Sequence, residues 1–401
     1  MCKPRILLVA ATTGYQVRSF DAAARQLGVE LSLATDRCHI LEDPWADRAI
    51  PVRFEDPAQS AVQVQGRFDG ILAVGDRPAL LAAHLAERLG MKFHGPAAVA
   101  ACGDKHVSRE LFAAAGLPTP AHCMLGVHDE TFVDLAYPCV LKALHLSASR
   151  GVIRADDLGQ FCAARDRIAA ITREPHLQVE TYIPGREFAL EGLMRSGRLQ
   201  CLAIFEKPDP LDGPFFEEAI YVTPPRESPA AQQAIVEATQ RAVTALGLSD
   251  GPIHAEMRVN ASGVWMLEVA ARPIGGLCAQ TLRFEPGALS LEALLLRHAL
   301  GEDTLEFIRE PQPSGVMMIP VPGHGILQSV EGVEQARAVP GIEDVVITAK
   351  LGEELIPLPE GASYPGFLFA RADTADAVID ALRRSHAALS FSLTAKLKVL
   401  V

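Results

Sequence analysis

Apolar positions along this chain follow two alternating rhythms. Arg5 to Ala11 reads as a strand, its apolar run from Ile6 onward being the pattern of burial on both faces. Beyond Gly14, Val17, Phe20, Ala24 and Leu27 recur at helical spacing until Gly28 stops them. A second strand is predicted over 29 to 35, a third over 68 to 75 (FDGILAVG) and a helix over 78 to 89. Strand and helix alternate, so an open parallel sheet is expected in roughly the first hundred residues. Residues 104 to 115 (DKHVSRELFAAA) read as a helix closed by Gly116, and Leu117-Pro118-Thr119-Pro120 as a linker stiffened by its prolines. A strand follows over 137 to 143 (YPCVLKA), then a polar loop, then a strand resuming at Val152, together a hairpin-like lid. A strand is predicted over 187 to 194 and a long Pro-rich acidic loop over 207 to 225. Helices are predicted over 229 to 246 and 290 to 300. After Pro311 and Pro313 the pattern changes to short β runs at 315 to 320, 345 to 349 and 366 to 370 with a terminal helix at 374 to 389, read as a separate α+β module.

Residues 254 to 276, HAEMRVNASGVWMLEVAARPIGG, carry the most information. His254, Glu256 and Arg258 alternate with Ala255, Met257 and Val259, which places the polar three on one face of a strand. A return strand carries Met266, Glu268, Ala270 and Arg272 on one face. With a strict four-residue turn at 260 to 263, Glu256 and Glu268 fall on opposite sides of the sheet, and a one-residue slip reverses that. If Val264 joins the loop or forms a bulge, the two carboxylates face each other and repel unless a cation lies between them. A bulge and a divalent ion are therefore expected.

Composition narrows the setting. A chain of 401 residues suggests two to four domains at about 100 to 200 residues each. A formal net charge of -12 argues against a broad nucleic-acid surface. The eight cysteines include no C-x-x-C pair, so neither a zinc framework nor a redox motif is suggested, and reduced thiols in a cytoplasmic protein are expected. No stretch approaches the ~18 apolar residues of a membrane span. Gly14 stands where a Rossmann-like turn would bind a nucleotide, but neither G-x-G-x-x-G nor G-K-[ST] is present.

Three further segments offer chemistry. Lys142 lies in front of a Ser- and Gly-containing loop, so its ammonium can hold a nucleotide phosphate while loop N–H groups and hydroxyls cover it; a strand-end lysine reaching solvent is the plain alternative. The run from Val179 to Glu187 joins a strand to a turn and another strand, and such a hinge can read adenine through backbone groups and leave Glu187 for ribose hydroxyls. A simple crossover with exposed acids fits equally. Arg272-Pro273-Ile274-Gly275-Gly276 pairs a guanidinium fork with backbone N–H groups that can approach one oxygen closely. A plain Gly-Gly turn is the alternative.

In order and spacing, DK at 104 to 105, YPCVLKA, SASRGV at 147 to 152, VETYIPGREF at 179 to 188, and HAEMRV with MLEVAARPIGG resemble the ATP-grasp superfamily. More narrowly the chain is similar to its carboxylate-amine ligases of the L-amino-acid ligase type, and the segment after 311 resembles the C-terminal domain of that group. The resemblance implies an ATP-grasp fold of mixed α/β and α+β class: a Rossmann-like domain at 1–100, a two-lobed ATP-binding core at 101–310 with a lid lobe at about 117–178, and a small α+β domain at 311–401. By position, Lys105 and Lys142 would contact ATP phosphates, with Ser147, Ser149 and Gly151 in the loop closing over them. Glu180 and Ile183 would border adenine and Glu187 would bind ribose. Glu256 and Glu268 would hold Mg2+, one ion or two, with Mn2+ a substitute. Arg272, with Gly275 and Gly276, would steady the transferring phosphoryl, making Arg272, Glu268 and Lys142 the catalytic set. Glu218, with Glu217 next best, would recognise a substrate amino group. One departure stands out: many relatives carry Glu-x-Asn where this chain has Glu268-Val269-Ala270, so an amide ligand is missing.

The implied activity is a C–N ligase in which ATP phosphorylates a carboxylate and an amine displaces the phosphate. Its partners would be small-molecule carboxylates and amines, with neither nucleic acid nor membrane, and a homodimer is compatible. An ATP-grasp enzyme of purine synthesis or a biotin-carboxylase-like carboxylase is the alternative within enzymes, and a non-catalytic ATP-binding regulatory protein the alternative outside them.

Overall fold

The computed structural model describes residues 3–11, 15–36, 49–129, 136–361 and 363–395. The N-terminal apolar run becomes the strand Arg5–Ala10, which pairs in parallel with Glu30–Thr35 on one side and Gly70–Val74 on the other; Ala49–Pro51 adds a short edge. Successive residues of this strand point to opposite faces, and both faces are covered. Leu7 and Val9 share a buried cluster with Leu81 and Leu85 of the helix Asp76–Leu89, whereas Ile6 and Leu8 join Val17 and Phe20 of the helix Tyr15–Leu27. Leu294 and Leu295, from the helix Leu291–Ala299, complete the second layer. A segment two hundred residues downstream thus closes the N-terminal sheet. The approach is close at Gly70, where a Cβ would sit 2.5 Å from the Ala299 carbonyl oxygen. Gly14 lies outside the described residues.

The lid is a four-stranded antiparallel sheet in the order His122–Gly126, His176–Thr181, Cys139–Ala143, Val152–Ala155. The helix Leu158–Ile171 packs Phe161, Ala164 and Ile168 against it, giving this lobe a core of its own.

Eight antiparallel strands form the central sheet, in the order Gly263–Ala270, Gly251–Asn260, Arg186–Arg195, Arg198–Lys207, Ile220–Thr223, Ser314–Met318, Gly366–Arg371, Ile342–Ile347. Two expectations change here. The acidic loop at 207 to 225 contains the buried strand Ile220–Thr223, and that strand pairs with Ser314–Met318, so the C-terminal segment continues the central sheet rather than forming a separate one. An apolar edge at Ile220–Thr223 needs such a partner, because unpaired backbone N–H and C=O groups in a buried strand are costly. The helix Ala375–Ala387 then covers Ile220, Val222 and Leu368 on one face.

The hairpin of Gly251–Asn260 and Gly263–Ala270 turns at Ala261-Ser262, tighter than the four-residue turn read from sequence. Val264 pairs with Val259 in regular register, and the bulge falls at Leu267, between the pairs Met257 with Met266 and Glu256 with Glu268. The carboxylates therefore face each other through an irregularity three residues from the expected one. Its cause is visible in the packing: the Leu267 carbonyl accepts a 2.6 Å hydrogen bond from the Arg109 guanidinium. On the opposite face Met257 and Met266 are fully buried with Ile235, Ala242 and Val243 of the helix Pro229–Leu246, each contributing about 2 kcal/mol of burial. That burial fixes which face stays polar.

Candidate active site

A cavity of about 390 Å³ opens between the lid, the hairpin and the ends of the other sheets, within the range of small-ligand pockets. At one end Lys105, the first residue of the helix Lys105–Ala114, is aimed by the Asp104 cap, whose carboxylate accepts from the N–H groups of His106 and Val107. Its ammonium donates to the Leu146 carbonyl at 2.6 Å and lies 3.9 Å from Glu268. Lys142 lines the same end, 2.5 Å from Glu180.

Glu180 departs from its expected place. It is almost fully buried, accepts from Arg109 Nε at 2.7 Å and Gln178 Nε2 at 2.6 Å, and is not among the residues lining the cavity. Its side chain anchors Lys142 rather than bordering a ligand. Burial would raise the Glu180 pKa, but Arg109 and then Lys142 outweigh it and bring it down to about 2. Burial pushes the Lys142 ammonium below its usual value despite Glu180. One carboxylate between two cations leaves an excess positive charge, which suits an anionic ligand. Ser147 and Ser149 line the cavity beside Lys142, and Ala148 and Ser149 have φ of 56°, a left-handed turn. Gly151 sits behind them, its N–H on the Pro359 carbonyl at 3.0 Å, so it shapes the loop without lining the cavity.

Ile183, Tyr182, Val140 and Val152 line an apolar stretch between lid and core. Glu187 faces the same cavity with both oxygens engaged, by Lys207 Nζ at 2.8 Å and Arg258 Nε at 3.0 Å. Lys207 was not singled out in the sequence, where it opens the Pro-rich run. It is the last residue of the strand Arg198–Lys207, and its ammonium also contacts Glu218 and lies 3.4 Å from Glu256. Carboxylate oxygens of Glu187, Glu218 and Glu256 lie within 4.8 Å of one another around it. Burial, then the Glu256 charge, raises Glu218 to about 7 against the pull of Lys207. Burial opposes ionisation of Glu256 too, but Lys207 and then His254 outweigh it and hold that carboxyl low. Tyr221 donates to Glu218 at 2.7 Å. Glu217 instead accepts from the Val321 N–H at 3.1 Å and does not line the cavity.

Arg272 reaches the cavity from the end of the hairpin and is gripped by Asp76 through Nε at 2.7 Å and a terminal nitrogen at 3.3 Å. Asp76 opens a helix of the N-terminal sheet, a partner no local pattern in the sequence could suggest. Buried Glu191 accepts from the Ile274 N–H at 3.1 Å and from His254 Nδ1, fixing both the 273–276 turn and the imidazole. Gly275 and Gly276 line the cavity, and Gly276 has φ of 61° with Phe367 2.8 Å from where a Cβ would stand.

Known proteins resemble this chain in sequence and in fold. Residues 135–281 match an ATP-grasp domain model and residues 317–394 match the L-amino acid ligase C-terminal domain 2. The chain has the ATP-grasp fold. It is 29% identical to a D-alanine–D-alanine ligase of Gloeobacter violaceus over 66% of this chain and 85% of that protein. It is 25% identical to the alanine–anticapsin ligase of Bacillus subtilis over 54% of this chain, and spans about half, 51%, of that relative's length. The crystal structure of an L-amino acid ligase from Bacillus licheniformis superposes with a TM-score of 0.82 over 98% of this chain and 100% of that one, at 24% identity.

ATP-grasp proteins use ATP with magnesium, and the donor set here fits a hard cation. Glu256 and Glu268 face each other across the bulge, and both line the cavity. Oxygen donors of this kind suit magnesium. Ala270 pairs with His254 and is buried, so it supplies no donor to the face.

Proposed function

We propose that this chain is a magnesium-dependent ligase that joins an amino-acid carboxylate to an amine through an acyl-phosphate, with ATP going to ADP. The observation that carries the reading is the facing pair Glu256 and Glu268 in one cavity with Lys105, Lys142 and Arg272. Glu256 and Glu268 hold the magnesium, one ion or two, which supplies neutralisation of phosphate charge during transfer. Lys105 and Lys142 hold phosphate oxygens under the Ser147–Ser149 loop. Ile183 and its neighbours border adenine, and Glu187, set by Lys207 and Arg258, meets the ribose. Arg272 steadies the γ-phosphoryl as it moves to the substrate carboxylate, and the backbone at Gly275 and Gly276 receives the carbonyl oxygen. The amine then attacks the acyl carbon, the C–O bond to phosphate breaks, phosphate leaves with the electron pair, and the nitrogen gives up one proton, which the departing phosphate can accept. Glu218 takes up a substrate ammonium.

Lid contacts support the exclusion of water that an acyl-phosphate requires. Arg167 on the lid pairs with Glu360 through two bonds of 2.5 and 2.9 Å, and the Ile153 backbone bridges to Phe215 of the acidic loop. The match at 317–394 favours amino-acid ligation over the purine and carboxylase alternatives, and the retained Arg272 argues against a purely regulatory binder. We assign 1–100, 101–310 and 311–401 to the N-terminal, ATP-grasp and C-terminal domains. No helix among the described residues is long and apolar enough to cross a membrane. A cytoplasmic enzyme acting on small molecules, monomeric or homodimeric, fits this reading. The test is ADP release with magnesium, ATP and a panel of amino acids singly and in pairs. Stimulation by particular amino acids is expected, and ADP formation indifferent to every carboxylate would end the ligase reading.

A further inference from the structure

On the outer side of the junction between core and lid, His106, Glu110 and His122 converge, with one candidate ligand atom from each lying within 4.8 Å of the others. His106 and Glu110 stand four residues apart on the helix Lys105–Ala114, hence on one face, and His122 opens the first lid strand, His122–Gly126. The hydrogen bonds decide the tautomers. Gln178 must donate through its Nε2 to Glu180, which only accepts, so its Oε1 faces His106 Nδ1 at 3.2 Å and accepts a hydrogen bond from it. That leaves Nε2 of His106 as the lone-pair nitrogen. In His122 the Pro120 carbonyl, 3.1 Å away, accepts from Nδ1–H, and Nε2 faces the Glu110 carboxylate at 2.8 Å. Two rings, each with Nδ1 bound to a carbonyl-type oxygen that holds its orientation and leaves Nε2 for another partner, match the way metal-ligating histidines are held. Their centroids are 5.6 Å apart and edge-on. Two imidazoles bound to one tetrahedral zinc through nitrogens about 2.0 Å from it place their centroids at about 5 Å, so small side-chain shifts suffice.

We propose that His106, Glu110 and His122 form a site for a borderline divalent transition metal of the zinc class, with water as the fourth ligand. Two imidazoles and a carboxylate suit zinc, cobalt or nickel and not magnesium, whose ligands are oxygens. A bound ion replaces the proton between His122 Nε2 and Glu110 and ties the core helix to the lid across the 117–120 linker. Its influence extends inward through His106, Gln178 and Glu180 to Lys142, an unbroken run of contacts. The site stands apart from the magnesium carboxylates and does not depend on the ligase reading.

The experiment uses full-length, chelator-treated protein in excess magnesium, titrated with zinc against a chromogenic indicator and with cobalt followed by its visible absorption. One zinc per chain, and a tetrahedral cobalt spectrum, are expected. The double variant His106→Ala/His122→Ala should lose the ion, and Glu110→Gln, at a side chain 64% exposed and so safe for folding, should weaken it about tenfold or more. Zinc should also slow proteolysis within 117–120 in the wild type and much less in Glu110→Gln. Absence of zinc binding by the wild type, or an equivalent of zinc with unchanged affinity in Glu110→Gln and the double variant, would overturn the proposal.

Discussion

Replacing Glu180 with glutamine isolates the charge that positions Lys142. The side chain is nearly inaccessible, and its carboxylate is shared by Arg109, Lys142 and Gln178 at 2.5 to 2.7 Å. A fall in pKa from 4.5 to about 2 corresponds to about 3 kcal/mol of stabilisation at neutral pH. Removing one partner of a buried ion pair independently costs about 3 to 5 kcal/mol. Thermal melting of Glu180→Gln at pH 7 should therefore come about 4 to 6 °C below wild type, since unfolding 401 residues carries an entropy of about 0.8 kcal/mol per degree. Because the folded-state pKa is depressed, the contribution is complete above the unfolded value and drains away as pH falls toward 2. The gap between the two proteins should accordingly narrow from pH 5 to pH 3. A variant that melts within about a degree of wild type at pH 7, or a gap indifferent to pH, would refute the argument.

Four other variants test the cavity and its lid. Arg272→Lys should lower kcat by about 10²–10³ because a point charge cannot reproduce the guanidinium fork, and Asp76→Asn, which loosens the grip on Arg272, should lower it less. Glu218→Gln should raise the KM for the amino substrate in ADP-release assays and leave ATP affinity, read by calorimetry, within about twofold; a selective loss of ATP binding would remove Glu218 from substrate recognition. Arg167→Ala breaks an exposed lid contact, so it should change stability by less than about 1 kcal/mol yet raise background ATP hydrolysis, measured as ADP formed without product.

Local periodicity made much of this protein legible. Alternation through His254, Glu256 and Arg258 located the polar face, and all three line the cavity. The need to bring Glu256 opposite Glu268 called for a bulge, and one is present. Its position at Leu267 was hidden because Arg109, 158 residues away in sequence, sets it. The same limit hid Asp76 and the joining of Ile220–Thr223 to Ser314–Met318, where a short apolar run sat inside a segment dominated by Pro and acids. Lys207 had a signal, a cation closing the strand-like run RLQCLAIFEK with its apolar centre, but the proline beside it favours a loop. Glu180 carried the opposite error: its place in the hinge was readable, whereas its burial between two cations needed the packing.

The reaction itself is tested most directly by isotope transfer. With the substrate carboxylate labelled in both oxygens with ¹⁸O, an acyl-phosphate route moves one label into inorganic phosphate for each amide bond made, and Glu268→Gln should yield neither labelled phosphate nor product while keeping its fold. Product formed with unlabelled phosphate, or with AMP in place of ADP, would contradict the account.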